Sequence, residues 1–275
     1  MALLILQYAF YGLVLGLSQI LPVSSLAHSK LYCMFSGTQE TALLSLFAHA
    51  GVLAALILHY SGKLKHMRQE MQIANSKKHR RLRQPDLAAV ADSRILSVCW
   101  IPFAVAMLLS KFVSSYFDGL LPMALLLLLN GSLLYSLQFH PEGNRSSRDM
   151  SPADGLLFGL CGIAAFIPGL SRMTATLLIG QRRGIERGYL TDMALLLAIP
   201  FTIGLMVLDM IGCFGGLSLS LAGIIGMILG AGAAFGGTYG AVSIMQYLAV
   251  RIGFHGFAFY SLGTGFLCFI LYLMI

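Results

Sequence analysis

Apolar runs close to the length of a bilayer crossing recur along the chain, separated by short polar stretches. A helix needs about 20 predominantly apolar residues to cross hydrocarbon. Segments 3–21, 42–60, 95–116, 120–138, 155–180, 189–211, 217–235 and 253–275 approach or exceed that length. Two of them are interrupted. The first runs into Pro22-Val23-Ser24-Ser25, and the fifth contains Pro168-Gly169-Leu170-Ser171-Arg172. Proline removes a backbone donor, and backbone broken at membrane depth is tolerated only where protein or a wet cavity satisfies it. These two segments are expected to dip in and return as re-entrant hairpins, and the other six to cross.

The interrupted segments also begin alike. Gly12-Leu13-Val14-Leu15-Gly16-Leu17 precedes the first break and Gly155-Leu156-Leu157-Phe158-Gly159-Leu160 the second. Each is followed by Pro, small residues and Ser, and then by three spans. The expectation is an all-α integral membrane protein with an inverted-topology repeat, six spanning helices and two re-entrant helical hairpins. Residues 1–138 form the first repeat, 139–152 a linker and 153–275 the second repeat. Paired broken helices meeting near the midplane mark the binding site in proteins built this way.

Composition agrees with this class. Hydrophobic residues make up 57% of the chain and charged residues 11%, against about 25% charged in soluble domains. The formal charge of +7 reflects topology. Nine of the 18 Lys and Arg fall in 62–94: Lys63, Lys65, Arg68, Lys77, Lys78, Arg80, Arg81, Arg83 and Arg94. The positive-inside rule assigns that loop to the cytoplasm. Arg145 and Arg148 then lie inside as well, and the hairpin keeps Arg182, Arg183 and Arg187 there. No nucleic-acid partner is expected, because such binding needs basic residues on a solvated face. Cys33, Cys99, Cys161, Cys213 and Cys268 stand singly, with no metal spacing, and read as small apolar residues. The N-terminal MALLILQYAF lacks a basic n-region and is expected to be retained.

Arg172 is the basic residue placed inside the hydrophobic layer, where it costs roughly 3 kcal/mol or more. It either caps carbonyls in the helix break or forms an anion site, since a guanidinium fork matches phosphate oxygens and a half-helix N-terminus adds partial positive charge. Ser171, Thr174 and Thr176 are neighbouring donors. The partner break offers Ser24, Ser25 and His28, with Gln19 just before. His28 is a candidate acid, base or nucleophile toward phosphorus, and Ser25 a candidate to orient phosphate or be activated by His28. His49, in Phe47-Ala48-His49-Ala50-Gly51, lines the same cavity or hydrogen-bonds another helix. Gly226, Gly230, Gly232, Gly236 and Gly240 are read as helix-packing positions.

The segment Leu15-Gly-Leu-Ser-Gln19-Ile-Leu-Pro22-Val-Ser-Ser-Leu-Ala-His28 resembles EGLTEFLPVSSxGH, the N-terminal signature of the undecaprenyl-diphosphate phosphatases, the bacitracin-resistance membrane phosphatases. Pro168-Gly-Leu-Ser171-Arg172-Met-Thr-Ala-Thr176 resembles their PGxSRSGxT, and His49-Ala-Gly51 falls where they often have HLG. The resemblance implies a multi-pass protein of the bacterial plasma membrane, with a site open to the outer face. It implies removal of the terminal phosphate from the C55 isoprenoid diphosphate, regenerating the carrier lipid for peptidoglycan and other wall polymers. His28 and Arg172 would form the core of the site with Ser25, and Ser171 and Thr176 would contact phosphate. Ser24, Thr174, Gln19 and His49 complete the expected substrate-binding set. The expected partners are a polyprenyl (di)phosphate lipid and membrane lipids, with a homodimer left open.

The chain also departs from the pattern. Leu15 and Gln19 stand where the family has glutamates, Ser45 where it often has another, and Met173-Thr174 where it has Ser-Gly. Mg²⁺ or Ca²⁺ is a family expectation that depends on those carboxylates, so no metal ligand is assigned. Glu40 and Asp209 are expected near the outer interface, with nothing in the sequence drawing them to the cavity. A second reading is a catalytically silent relative that binds or translocates a polyprenyl phosphate lipid.

Overall fold

The structure, a computed structural model, describes residues 1–76, 83–215 and 220–274. In chain order, α1 (Ala2–Ile20) and α2 (Ser25–Ser36) form a hairpin. It is followed by α3 (Ala42–Asn75), α4 (Leu87–Val98), α5 (Trp100–Tyr116) and α6 (Leu120–Ser136). A second hairpin pairs α7 (Pro152–Cys161) with α8 (Arg172–Arg182). Then come α9 (Arg187–Leu196), α10 (Ala198–Gly212), α11 (Leu221–Arg251) and α12 (His255–Met274). Among the described residues there is no β-strand, only an isolated bridge between Arg145 and Ile185.

Among the described residues, seven segments are long and apolar enough to cross a membrane. Six overlap the expected spans, α4–α5 and α9–α10 each counting as one, although α11 runs on to Arg251 where the expected span ended at 235. The seventh is α1, whose hairpin turns back within the bundle: Gln7 Nε2 donates to the Ser36 carbonyl at 2.7 Å, and the Tyr32 hydroxyl to the Gln7 carbonyl at 2.7 Å. Local chemistry makes the break. Leu21 is extended ahead of Pro22, as the steric demand of a following proline requires. The Ser24 side chain then accepts from Ala27 N and starts α2.

The second hairpin is built the same way from the opposite end. Pro152 opens α7, a position where its missing N–H leaves no bond unmade. Gly162–Phe166 tighten into a 3-10 turn, and the Ser171 side chain accepts from Thr174 N to start α8. Its base is stapled by Asp154, which receives Arg145 at 2.9 Å and Arg183 at 2.8 Å.

Close backbone packing sets the centre of the bundle. A Cβ added at Gly12 or Gly16 would overlap the backbone of Gly230 or Ala234, and one at Gly51 the backbone of Ala231. Small residues thus bring α1 and α3 onto α11, as expected where lipid supplies no hydrophobic drive for association. Gly226 and Gly230 pack against Tyr8 as anticipated. Gly232, Gly236 and Gly240 do not pack: a Cβ at any of them meets no described atom within 4 Å.

The stretch 62–94 is shorter as a loop than its charges suggested. The helix α3 continues to Asn75 and α4 starts at Leu87, while Lys77, Lys78, Arg80 and Arg81 lie outside the described residues. Ion pairs hold two of the charges. Lys63 lies 2.6 Å from Asp192 and 3.3 Å from Asp92, and Arg83 lies 2.8 Å from Glu70. Lys63, Arg145, Arg183 and Arg187 therefore gather at one end of the bundle. Met1, Ser36 and Ala42 mark the other.

Candidate functional site

The two hairpin tips meet inside the bundle. Gly169 N donates to Ser24 Oγ at 3.0 Å, and Thr174 Oγ1 donates to the Pro22 carbonyl at 3.0 Å. Gly169 has φ +104, a backbone conformation that glycine reaches without strain, and this turns its N–H toward the partner tip. Asn130 of α6 clamps both tips. Its amide donates to the Pro22 carbonyl at 3.3 Å and to Ser261 Oγ at 3.0 Å, and its carbonyl accepts from Ser171 N at 3.0 Å. Sequence reading passed over this residue, although a carboxamide within an apolar span is itself a signal. Asn130→Leu leaves those buried groups unpaired, so it is expected to cost about 2 kcal/mol or more. Denaturant unfolding in detergent checks this, and an unchanged transition would mean that the tips hold without the clamp.

Arg172 begins α8 at this junction and is 5% exposed. Its Nη1 donates to the Ala194 carbonyl at 3.2 Å and its Nη2 to the Gln19 carbonyl at 3.4 Å. The guanidinium carbon lies 5.0 Å above the Phe201 ring. Among the described residues no carboxylate lies within ion-pair distance of it. Arg172 thus caps carbonyls and still carries an uncompensated buried charge.

The expected hydroxyl donors surround this junction, and several are already engaged. Ser24 and Ser171 cap α2 and α8, Thr174 ties the tips, and Thr176 Oγ1 donates back to the Arg172 carbonyl at 2.9 Å. Ser25 is the first residue of α2 and half-buried, and Gln19 is buried. His28 faces elsewhere. Its Nδ1 donates to the Ser24 carbonyl at 2.6 Å, so its Nε2 accepts from the Tyr260 hydroxyl at 2.8 Å. Both ring nitrogens are occupied, and the ring stacks on Tyr260 with centroids 5.6 Å apart. An apolar cavity of about 300 Å³, lined by Val14, Leu17, Leu21 and Tyr260, opens beside it.

A second polar group lies between α1, α3 and α10. The Tyr11 hydroxyl donates to Glu40 Oε1 at 2.8 Å and pairs with Ser45 Oγ at 2.8 Å. One turn along α3, His49 Nδ1 meets Asp209 Oδ2 at 2.7 Å. Asp209 is therefore not a bystander at the interface, and only the packing of α10 on α3 reveals it.

The divalent ion implied by resemblance does not fit these residues. Mg²⁺ and Ca²⁺ are held mainly by carboxylate oxygens, whereas Leu15, Gln19 and Ser45 offer one amide and one hydroxyl. Among the described residues, no three His, Cys, Asp or Glu side chains gather where they could hold a metal.

Comparison with known proteins identifies relatives along nearly the whole chain. The undecaprenyl-diphosphatase of Thermobifida fusca is 29% identical over 271 residues, covering 96% of this chain and 88% of the relative. That of Methanosphaera stadtmanae is 27% identical over 234 residues, covering 82% and 85%. That of Neisseria gonorrhoeae is 25% identical over 277 residues, covering 98% and 96%. Residues 8–267 match the family model described as bacitracin resistance protein BacA. With both hairpins and every span inside or overlapping that match, the chain belongs to the BacA family of bacitracin resistance proteins.

Proposed function

We propose that this chain is a membrane phosphatase that hydrolyses undecaprenyl diphosphate to undecaprenyl phosphate and inorganic phosphate, recycling the carrier lipid of cell-wall synthesis. One observation carries the reading: Arg172, buried where the two tips meet, has no carboxylate partner among the described residues. A buried unpaired cation calls for an anionic ligand, and the named relatives act on a lipid diphosphate.

Phosphoryl transfer depends on positioning and on stabilising charge at the transferring oxygens. Arg172 serves both when its fork turns from the Ala194 and Gln19 carbonyls to phosphate oxygens. The N-termini of α2 and α8, both at the junction, add partial positive charge. The apolar cavity beside His28 suits an isoprenoid segment. The positive-inside rule puts the Lys63, Arg145 and Arg187 end in the cytoplasm of a bacterial plasma membrane. The end bearing Glu40 and Asp209 then faces outward, and the site opens to the outer face.

The test is phosphate release from undecaprenyl diphosphate by the purified protein in detergent. Steady turnover is expected. Arg172-dependent lipid binding without release would instead favour a protein that binds or translocates the lipid.

A further inference from the structure

At the end of the bundle that carries Arg145 and Arg183, a cavity of about 250 Å³ opens between the 139–152 linker, α8 and α9. A second, of about 90 Å³, shares its Leu137, Gln181, Arg187 and Phe254 walls and reaches the start of α12. None of the residues that tie the two hairpin tips together lines either one. We propose that the two cavities together hold the headgroup of a zwitterionic phospholipid, with Arg187 on its phosphate and Glu142 on its ammonium group. The site stands apart from the phosphatase reading and does not depend on it.

Unused polar groups carry the argument. The Arg187 guanidinium makes no hydrogen bond among the described residues, and its Nε is buried. Glu142 Oε1 lies 3.8 Å from that Nε, beyond hydrogen-bond reach. Opposite charges that line one cavity without bonding to each other suit a ligand that carries both signs. His140 adds an acceptor beside Glu142. Its Nδ1 donates to the Ser136 carbonyl at 3.0 Å, so in the neutral ring Nε2 keeps its lone pair. That nitrogen has no partner among the described residues. An ammonium group only donates, and the larger cavity offers it a carboxylate and an imidazole nitrogen.

The smaller cavity offers donors. A Cβ built at Gly253 would stand 3.7 Å from Arg187 Nη1 and 3.9 Å from His255 Nδ1, so both groups border the space over this glycine. The 20-residue α12 begins there, and the N–H groups of His255 and Gly256 take no backbone partner. Free N–H groups at a helix start favour an anion, and the Arg187 fork matches phosphate oxygens. Arg187 borders both cavities, so a phosphate on one side and an ammonium two carbons away on the other fit the pair.

Hydrogen bonds fix the walls. Gln181 Nε2 donates to the Leu137 and His140 carbonyls, both at 3.0 Å. Arg145 N donates to the Gly184 carbonyl and Glu186 N to the Arg145 carbonyl, each at 3.0 Å, which holds the linker to the turn after α8. The surroundings favour a lipid over a soluble ligand. Tyr135, in the last turn of α6, lines the smaller cavity. It packs against Phe139 and Phe259 with ring centroids 5.6 and 5.7 Å apart, and all three rings are exposed. A tyrosine at the end of a span sits at headgroup level, and the two phenylalanines offer apolar surface to acyl chains.

The experiment exchanges the purified full-length protein in detergent against phosphatidylethanolamine or phosphatidylglycerol and measures bound lipid by native mass spectrometry. Phosphatidylglycerol shares the phosphate and lacks the ammonium. The ethanolamine lipid is expected to bind at least about tenfold more tightly, the worth of one charge-assisted contact. Arg187→Gln should weaken both lipids at least about tenfold. Glu142 is 58% exposed, so Glu142→Gln leaves the fold intact and should weaken only the ethanolamine lipid, erasing the preference. Lys65→Gln, at an exposed lysine of α3, should change neither. Equal affinity for the two lipids in the wild type, unchanged binding in Arg187→Gln, a preference that survives Glu142→Gln, or an equal loss in Lys65→Gln each overturns the proposal. Inorganic phosphate that binds with the same dependence on Arg187 while neither lipid does would also overturn it, in favour of a free anion.

Discussion

Arg172→Met is expected to abolish phosphate release while leaving the protein at least as stable as the wild type. Arg172 is 5% exposed, with two carbonyl acceptors at 3.2 and 3.4 Å and a ring face at 5.0 Å. Placing a charge at this depth costs roughly 3 kcal/mol or more, of which the aromatic contact offsets about 2 kcal/mol. Methionine has similar length and adapts to irregular apolar space, so the fold loses two hydrogen bonds but also the burden of a desolvated cation. Activity should respond in the other direction. Removing a preorganised donor to a developing oxyanion lowers turnover by about 10²–10³, and a bidentate guanidinium supplies two. Arg172→Lys keeps the charge and loses the fork, so its turnover should lie between the two. Phosphate release and denaturant unfolding, measured side by side, decide the matter. A Met variant that unfolds would make Arg172 a capping residue first and an anion site second.

Gly12→Val is expected to prevent the native bundle from forming. An added Cβ at this position would fall within the Gly230 backbone, so no rotamer change relieves the overlap. The helices α1 and α11 must separate. Gly16 against Ala234 would lose its contact next, and with it the hydrogen bond from Thr238 Oγ1 to the Gly16 carbonyl at 3.0 Å. Overpacking costs about 1–3 kcal/mol where side chains can give way. Here backbone opposes backbone, so a loss of more than about 3 kcal/mol is expected. The measurable result is collapse of the monodisperse species in size-exclusion chromatography and a large drop in the unfolding midpoint. Gly236→Val serves as the control, since its added Cβ meets no described atom within 4 Å.

The apolar runs and the two proline breaks were enough to locate six spans and two hairpins, because burying backbone in hydrocarbon permits few arrangements. The basic residues marked one end of the bundle for a similarly simple reason. Helix ends were less legible. The extension of α3 to Asn75 depends on partners such as Asp92 and Asp192, which lie far away in the chain and bring its lysine into the fold.

The site divides along the same line. Its members around Pro22 and Pro168 could be named from the chain, since a broken helix must satisfy its freed groups locally and those residue types lie beside each break. Which way each side chain faces depended on contacts between helices distant in sequence. Ser24, Thr174 and Asn130 hold the tips together, Tyr260 occupies His28, and Asp209 arrives on α10 to orient His49. The shortage of acids at positions 15, 19 and 45 was visible in the chain. That Asp209 reaches the face of α3 one turn beyond Ser45 was not, because a hydrogen bond across 160 residues leaves no trace in local pattern and exists only once α3 and α10 have packed.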